Sequence, residues 1–367
     1  MEEVLLISIC RPKQWKTIST NELIEKGYPV YGANGKIGFY NTYTHENPTV
    51  LITCRGATCG TINICEPKSY VNGNAMALDN LSGDVDLYYL KHYLEFRKLD
   101  DVISGSAQPQ ITGQGLSKVK IPLPPIQQQQ KIANILDAAD ALRQNDKALI
   151  AKYDELTQAL FLDMFGGPVS NPKGWEKVAL KHFGKISTGN TPSRSDDANY
   201  SSRYIEWIKT DNIKENYLYI TQASEYLSEV GLNRARTVEK DAILVACIAG
   251  SIDSIGRVAL TDRKVSFNQQ INAIESNSKV LPRYLYYLIR NCKKHIQNHA
   301  SNGMKRMLTK GEFEKILMIL PPLDLQNLFV ERVKIIEEQK SIAQKSLEKS
   351  EELFNSLLQR AFKGELV

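Results

Sequence analysis

The 367-residue sequence has few of the spacings that mark chemistry. Its five histidines, at positions 45, 92, 182, 295 and 299, are scattered, and no H-E-x-x-H run places two of them on one helix face, which excludes that zinc-hydrolase arrangement. No G-x-x-x-x-G-K-[ST] loop is present to cradle a nucleoside triphosphate. Gly105-Ser106 and Gly250-Ser251 lack the flanks of a nucleophile elbow. Adenine methylation needs a glycine-rich cofactor loop and an Asn/Asp-Pro-Pro-aromatic motif; the Pro-Pro pairs here, Pro124-Pro125 and Pro321-Pro322, have Leu before them and no aromatic after them. The chain is therefore expected to do no catalysis and to hold no cofactor or metal of its own. Six cysteines (10, 54, 59, 65, 247, 292) form no C-x-x-C pair, so they read as plain thiols of a reducing compartment. No run of about 18 apolar residues exists to span a membrane. The opening Met1-Glu2-Glu3 is acidic and its apolar stretch too brief for a signal peptide, so a cytoplasmic chain with no membrane association is expected.

What is present is ordinary in amount and uneven in place. An apolar fraction of 42% and a charged fraction of 24% suit a globular chain, and the length suits two domains with connectors. The formal charge is only +5, yet residues 168–318 hold 23 Lys and Arg against 15 Asp and Glu, while residues 1–121 hold 12 of each. A polyanionic partner for the second half and a merely solubilising surface are both compatible with that excess.

The chain also repeats itself. Pro124-Pro125 matches Pro321-Pro322 at an offset of about 197, and the same offset carries Gln129 onto Gln326, Ile132 onto Phe329, Ile150 onto Leu347, Phe165 onto Phe362 and Gly167 onto Gly364. Upstream, Thr112 matches Thr309, Gly60 and Asn72 match Gly256 and Asn268, and Leu87-Tyr-Tyr-Leu echoes Leu285-Tyr-Tyr-Leu. The reading is domain, helix, domain, helix: 1–121, 122–167, 168–318 and 319–367.

After each proline pair the sequence predicts a long helix, over about 128–164 and 325–362, free of Pro and Gly and closed by Gly166-Gly167-Pro168 and Lys363-Gly364. Apolar residues in the first follow 3-4 spacing, with Ile132, Ile135, Ala139, Leu142, Leu149, Tyr153, Leu156 and Leu160 as its seam and Asp146 as the interruption. In the second, Phe329, Val333, Ile336, Ala343, Leu347, Phe354, Leu357 and Ala361 form the stripe. At ~1.5 Å per residue each helix is about 55 Å long. Two readings stand: core helices of two globular domains, or an antiparallel coiled-coil pair acting as a rigid spacer.

The flanking domains read as mixed α/β with much loop. Strand-like runs fall at 4–9, 49–54, 60–65 and 119–123 with a helix near 86–97, and again at 207–210, 242–246 and 256–261 with a helix near 282–298. Their loops carry Arg, Lys, Gln and Asn beside Gly and Ser. Arg and Lys can read guanine, and Asn and Gln adenine, in a DNA groove; any one of them can equally be a solvated loop side chain. The DNA-binding candidates are Lys36, Arg55, Gln108 and Gln110 in the first domain and Arg194, Lys209, Asn268, Gln269 and Gln270 in the second, with Lys305 and Arg306 as phosphate-clamp candidates.

These features together resemble the specificity subunits of type I restriction-modification systems. Tyr28-Pro-Val-Tyr-Gly-Ala-Asn-Gly-Lys-Ile-Gly is similar to that family's first-domain signature. Gly174-Trp-Glu-Lys-Val-Ala-Leu, Ser187-Thr-Gly-Asn-Thr-Pro-Ser and Tyr204-Ile-Glu-Trp-Ile-Lys-Thr-Asp-Asn-Ile are similar to its second, and L-P-P-[IL]-x-x-Q precedes both long helices. The resemblance covers essentially the whole chain. It implies two similar target-recognition domains related by a pseudo-twofold repeat, each reading one half of a bipartite double-stranded DNA site, with the helix pair setting the spacer. Two modification methyltransferase subunits would dock on it, and restriction/translocase subunits would complete the complex; S-adenosylmethionine, ATP and Mg would belong to those partners. The first domain departs from the pattern in lacking a Trp-Glu opening and in carrying only Arg11, Arg55 and Arg97. The alternative to this reading is a non-catalytic protein–protein adaptor with two binding domains on a helical strut.

Overall fold

A computed structural model describes residues 3–366 apart from 34, 106–107, 216 and 302–305. The chain divides into two compact units, Met1–Ala148 with Gln344–Val367, and Leu149–Ala343. The division falls inside the long helices, Ile126–Phe165 and Leu323–Lys363, so each unit takes half of each helix together with one mixed α/β region.

The first unit holds an antiparallel sheet ordered Arg11–Gln14, Ala75–Asp79, Val50–Thr53, Ile62–Ile64. Its central strand Val50–Thr53 is wholly buried, as its unbroken apolar run requires. A smaller sheet sets the hairpin Tyr28–Gly32/Gly35–Tyr40 beside Tyr70–Val71, which runs parallel to its neighbour. Glu3–Leu5 pairs with Lys120–Pro122 just before the prolines. The expected strand over 4–9 is cut short: Leu6–Ile9 is a helical turn, entered by a hydrogen bond from Leu6 N to Val119 O (2.8 Å).

The second unit is built to the same plan. Its antiparallel sheet is ordered Gly184–Thr188, Ile271–Ser276, Ile243–Ala246, Val258–Leu260. Its smaller sheet again has one parallel pair, Ile205–Ile208 with Val265–Phe267, and Lys177–Ala179 pairs with Leu317–Ile319 before the second prolines. The duplication read from the sequence is thus a duplication of strand order.

The repeated Gln of the L-P-P motif is a clamp. Buried Gln129 accepts from Asp86 N (2.8 Å) and donates to Asp84 O (2.9 Å) and Pro124 O (2.8 Å). Gln326 accepts from Leu281 N (2.9 Å) and donates to Lys279 O (3.2 Å) and Pro321 O (2.9 Å). Each amide thereby ties the start of a long helix to the start of a short one, Leu87–Arg97 or Pro282–Asn291, where backbone groups lack helical partners. Tyr89 Oη donates to Pro122 O (2.8 Å) and Tyr284 Oη to Ile319 O (3.2 Å) in the same relative place. Tyr89 therefore corresponds to Tyr284, and the Leu-Tyr-Tyr-Leu echo is out of register by nearly one helical turn.

The long helices run antiparallel in each unit. In the first, Ile132, Ala133, Leu136 and Ala139 pack with Phe354, Leu358, Ala361 and Tyr89. In the second, Phe161 and Phe165 meet Phe329 and Tyr284, ring against ring, and Lys340 donates to both carboxylate oxygens of Asp154 at 2.8 Å. The expected interface residues divide. Ile132, Phe329, Val333 and Phe354 are buried; Leu160, Ile336, Leu347 and Leu357 are half-buried; Ile135, Leu142, Leu149 and Leu156 are exposed, Leu142 by 54%. Those last four form a column at seven-residue spacing rotated by about 100° from the one that packs, through Leu136, Arg143, Ile150 and Thr157. The true seam admits polar groups, which hid it. Arg143 lies 4.2 Å over the Phe354 ring and bonds Asp140 (2.5 Å), and Asp146 accepts from Ser350 (2.9 Å) and Ser346 (3.2 Å). Asp146 interrupts nothing; it is part of the seam.

Candidate nucleic-acid interface

Two of the loops chosen for their polar residues occupy the same position in the two units. In the first, Cys54 O accepts from Ile111 N (3.0 Å) and Cys54 N donates to Asn74 O (3.1 Å). In the second, Cys247 O accepts from Leu308 N (2.8 Å) and Cys247 N donates to Gln270 O (2.8 Å). Beyond these buried thiols, Arg55 forms a β-bridge to Gln110, and Ile248–Ala249 pairs with Arg306–Met307. Burial pushes the Cys54 thiol up and the Cys247 thiol up to about 12, so neither is a nucleophile. They root the loops.

In the first unit the result is a small polar surface. Ser104 and Gln110 exchange two backbone hydrogen bonds (2.8 Å each), closing a turn that presents Gln108 and Gln110 to solvent beside Arg55. Gly105, at φ +87°, is required there, since a Cβ would lie 2.5 Å from Gln108 O. Ala33 O accepts from Thr53 Oγ1 (2.7 Å), which brings the tip of the Tyr28–Tyr40 hairpin to the same end of the sheet. Lys36, on that hairpin, is paired with Glu66 at 3.3 Å. Arg55, Gln108 and Gln110 thus come together, while Lys36 is partly neutralised.

In the second unit Asn268 bonds within its own loop. It is buried, accepts from Gln270 N (3.1 Å) and donates to Gln270 Oε1 (3.0 Å), closing the turn that carries Gln269 and Gln270. Gln269 is exposed and accepts from Thr191 Oγ1, which joins it to the loop containing Arg194. Arg306 is exposed on its short strand; Lys305 lies outside the described residues.

Arg194 and Lys209, far apart in sequence, share one carboxylate. Glu225 accepts from Arg194 Nη2 (2.5 Å) and from Lys209 Nζ. The Arg194 guanidinium stands 4.6 Å from the Tyr200 ring centre and 4.9 Å from that of Trp207, and Lys209 Nζ stands 5.2 Å from Trp207. Arg203 lies over Tyr226 at 4.7 Å. The Lys209 hydrogen bond, with Arg194 adding to it, holds the Glu225 carboxyl below the usual range. Nearby, Glu206 takes both arms of Arg263. Sequence reasoning missed Tyr200, Arg203, Trp207, Glu225 and Tyr226. The signal was present as arginines interleaved with aromatics over 194–207, a pattern suited to cation–π stacking and to nucleic-acid contact.

Such an array can make guanidinium and amide contacts to base edges and phosphates. Among the described residues no group of three or more His, Cys, Asp or Glu is placed to hold a metal, and no helix is long and apolar enough to cross a membrane.

A family model described as the type I restriction modification DNA specificity domain matches residues 1–152 and 172–352. The chain is 32% identical over 203 residues to the type I restriction enzyme HindI specificity subunit of Haemophilus influenzae; that segment is 53% of this chain but only 42% of the relative's length. It is 24% identical over 344 residues to the MjaIX specificity subunit of Methanocaldococcus jannaschii, spanning 87% of this chain and 77% of that one. The crystal structure of the type I restriction-modification S subunit from M. genitalium has the same fold, with a TM-score of 0.66 at 15% identity over 98% of this chain and 95% of that one.

Proposed function

Because the chain belongs to the type I restriction-modification DNA specificity family, we propose that it is the sequence-reading subunit of such a system and leaves chemistry to its partners. Regions 1–121 and 168–318 are the two target-recognition domains, each reading one half of a bipartite double-stranded site. Regions 122–167 and 319–367 carry the helices, which set the unspecified spacer and receive two modification methyltransferase subunits. Those subunits bind S-adenosylmethionine and methylate adenine; restriction/translocase subunits with ATP and Mg complete the nuclease, in the cytoplasm.

The observation that carries this reading is the shared placement of the Arg55–Gln110 bridge and of the Ile248–Ala249/Arg306–Met307 pair, at the rooted loops of two identically ordered sheets. One strand plan built twice, with different polar side chains on equivalent loops, is what reading two different short sequences requires. The exposed apolar residues of the helices support docking: Ile135 and Leu142 in the first unit, and Leu149, Leu156, Ile335 and Ile342 in the second, are surface the chain does not cover itself.

Sequencing of methylated DNA from cells expressing the chain with its methyltransferase tests the proposal. A split adenine-methylated motif that vanishes when the chain is omitted is expected. Methylation indifferent to the chain, with no salt-sensitive binding to duplex DNA, would favour the adaptor reading instead.

A further inference from the structure

We infer that Glu225 is a specificity-determining residue: its carboxylate withholds Arg194 and Lys209 from DNA until a matching half-site competes for them. This rests on the reading of the second unit as a DNA-recognition domain.

The geometry is that of a shared latch. Arg194 enters from the loop after Thr191-Pro192-Ser193, and Lys209 follows the strand Ile205–Ile208. Glu225 precedes the strand Tyr226–Leu227, and its carbonyl accepts from Trp207 N (3.0 Å), so the carboxylate is fixed to the same small sheet as Lys209. Both cations lie against Trp207, and Arg194 also lies against Tyr200, whose hydroxyl donates to Pro192 O (2.7 Å) and braces the loop. The side chains of Arg194 and Glu225 are 54% and 35% exposed, so incoming DNA can reach the pair.

Charge decides what the latch does. A free guanidinium and a free ammonium bind any phosphate, and each such contact strengthens binding to every sequence alike. Held by Glu225, the two cations present reduced positive charge to a random backbone, and DNA approaching Glu225 meets a carboxylate. A base edge that offers paired acceptors, as guanine does through O6 and N7, gives a planar guanidinium two hydrogen bonds where Glu225 takes one, and it carries no net charge for the released carboxylate to repel; a phosphate does. Glu225 thereby sets how far the cognate half-site exceeds a random one.

The test uses the full chain co-expressed with its methyltransferase, wild type and Glu225→Gln, with Glu225→Ala as second variant. Binding is measured to the duplex carrying the methylated motif and to a random duplex, across a salt series. With either variant, random-duplex affinity should rise about five-fold, the log–log salt slope should steepen by about one to two units, and the ratio of cognate to random affinity should fall. Simple damage to the loop would weaken binding and leave the slope flat or shallower. Random-duplex affinity and slope unchanged in both variants, while Arg194→Ala and Lys209→Ala still weaken binding, would overturn the latch and leave the DNA-reading assignment standing. If Arg194→Ala and Lys209→Ala also change nothing, that assignment of this face falls with it.

Discussion

Gln129 and Gln326 make the same three hydrogen bonds in two different units, each accepting from the N-cap residue of a short helix and donating to the carbonyl two residues before that cap and to the carbonyl of the first proline of its own L-P-P motif. The motif most useful for recognising the chain is thus a structural device. Replacing either Gln by Ala should cost about 2–3 kcal/mol, because one buried N–H and two carbonyls lose their partner. Gln→Glu at the same position should cost at least as much, since it sets an acceptor against two carbonyls. Urea unfolding of the four single variants checks this; neutral substitutions would make the clamp incidental.

Leu136 and Leu142 separate the packed column of the first long helix from the exposed one. Leu136→Ala should lower stability by about 2–5 kcal/mol, as for a fully buried leucine. Leu142→Ala should stay within about 0.5 kcal/mol. Leu142→Glu should leave unfolding unchanged yet reduce co-purification with the methyltransferase, if the exposed column is the docking strip.

Glu206 should account for part of the acid sensitivity of the second unit. Its hydrogen bonds from Arg263 hold its carboxyl below the usual glutamate range in the folded chain. The unfolded chain therefore takes up this proton first as pH falls. The stabilisation is fully present above the usual glutamate value and is lost as pH drops through the lower folded value. Glu206→Gln should lower stability at pH 7 and flatten the acid limb of the stability–pH curve. A parallel acid limb in the variant would contradict the assignment.

Thiol labelling should distinguish Cys59 from the rest. It is half-buried, whereas Cys10, Cys54, Cys65, Cys247 and Cys292 are buried, and burial pushes Cys10, Cys247 and Cys292 up to about 12. Native protein at pH 8 should titrate no more than one thiol with an aromatic disulfide reagent within minutes, and six after denaturation. Several fast-reacting thiols would show that the two sheets open readily.

The repeat, both long helices and the mixed α/β character were legible because proline punctuation and 3-4 spacing survive without tertiary information. The seam was not. The exposed column on Ile126–Phe165 carries Ile or Leu every seven positions from 135 to 156, whereas the buried one contains Arg143 and Thr157, so hydrophobicity favoured the wrong phase. Within the candidate site, the loops of Arg55, Gln110, Gln270 and Arg306 were legible because glycine- and proline-rich turns advertise loops. The burial of Asn268 was not legible, since an exposed loop Asn and an Asn that closes its own turn look alike in sequence. Glu225 was invisible because acidic residues are not sought in a DNA-reading face; only folding brings it to Arg194 and Lys209.

On the function proposed above, two independent reading domains share one chain. Exchange of residues 1–121 for the corresponding domain of another family member, followed by mapping of methylated adenines in cells that also make the methyltransferase, tests it most directly. One half of the motif should change, with the other half and nearly the same spacer retained. Simultaneous change of both halves, or of neither in an assembled and active complex, would contradict it.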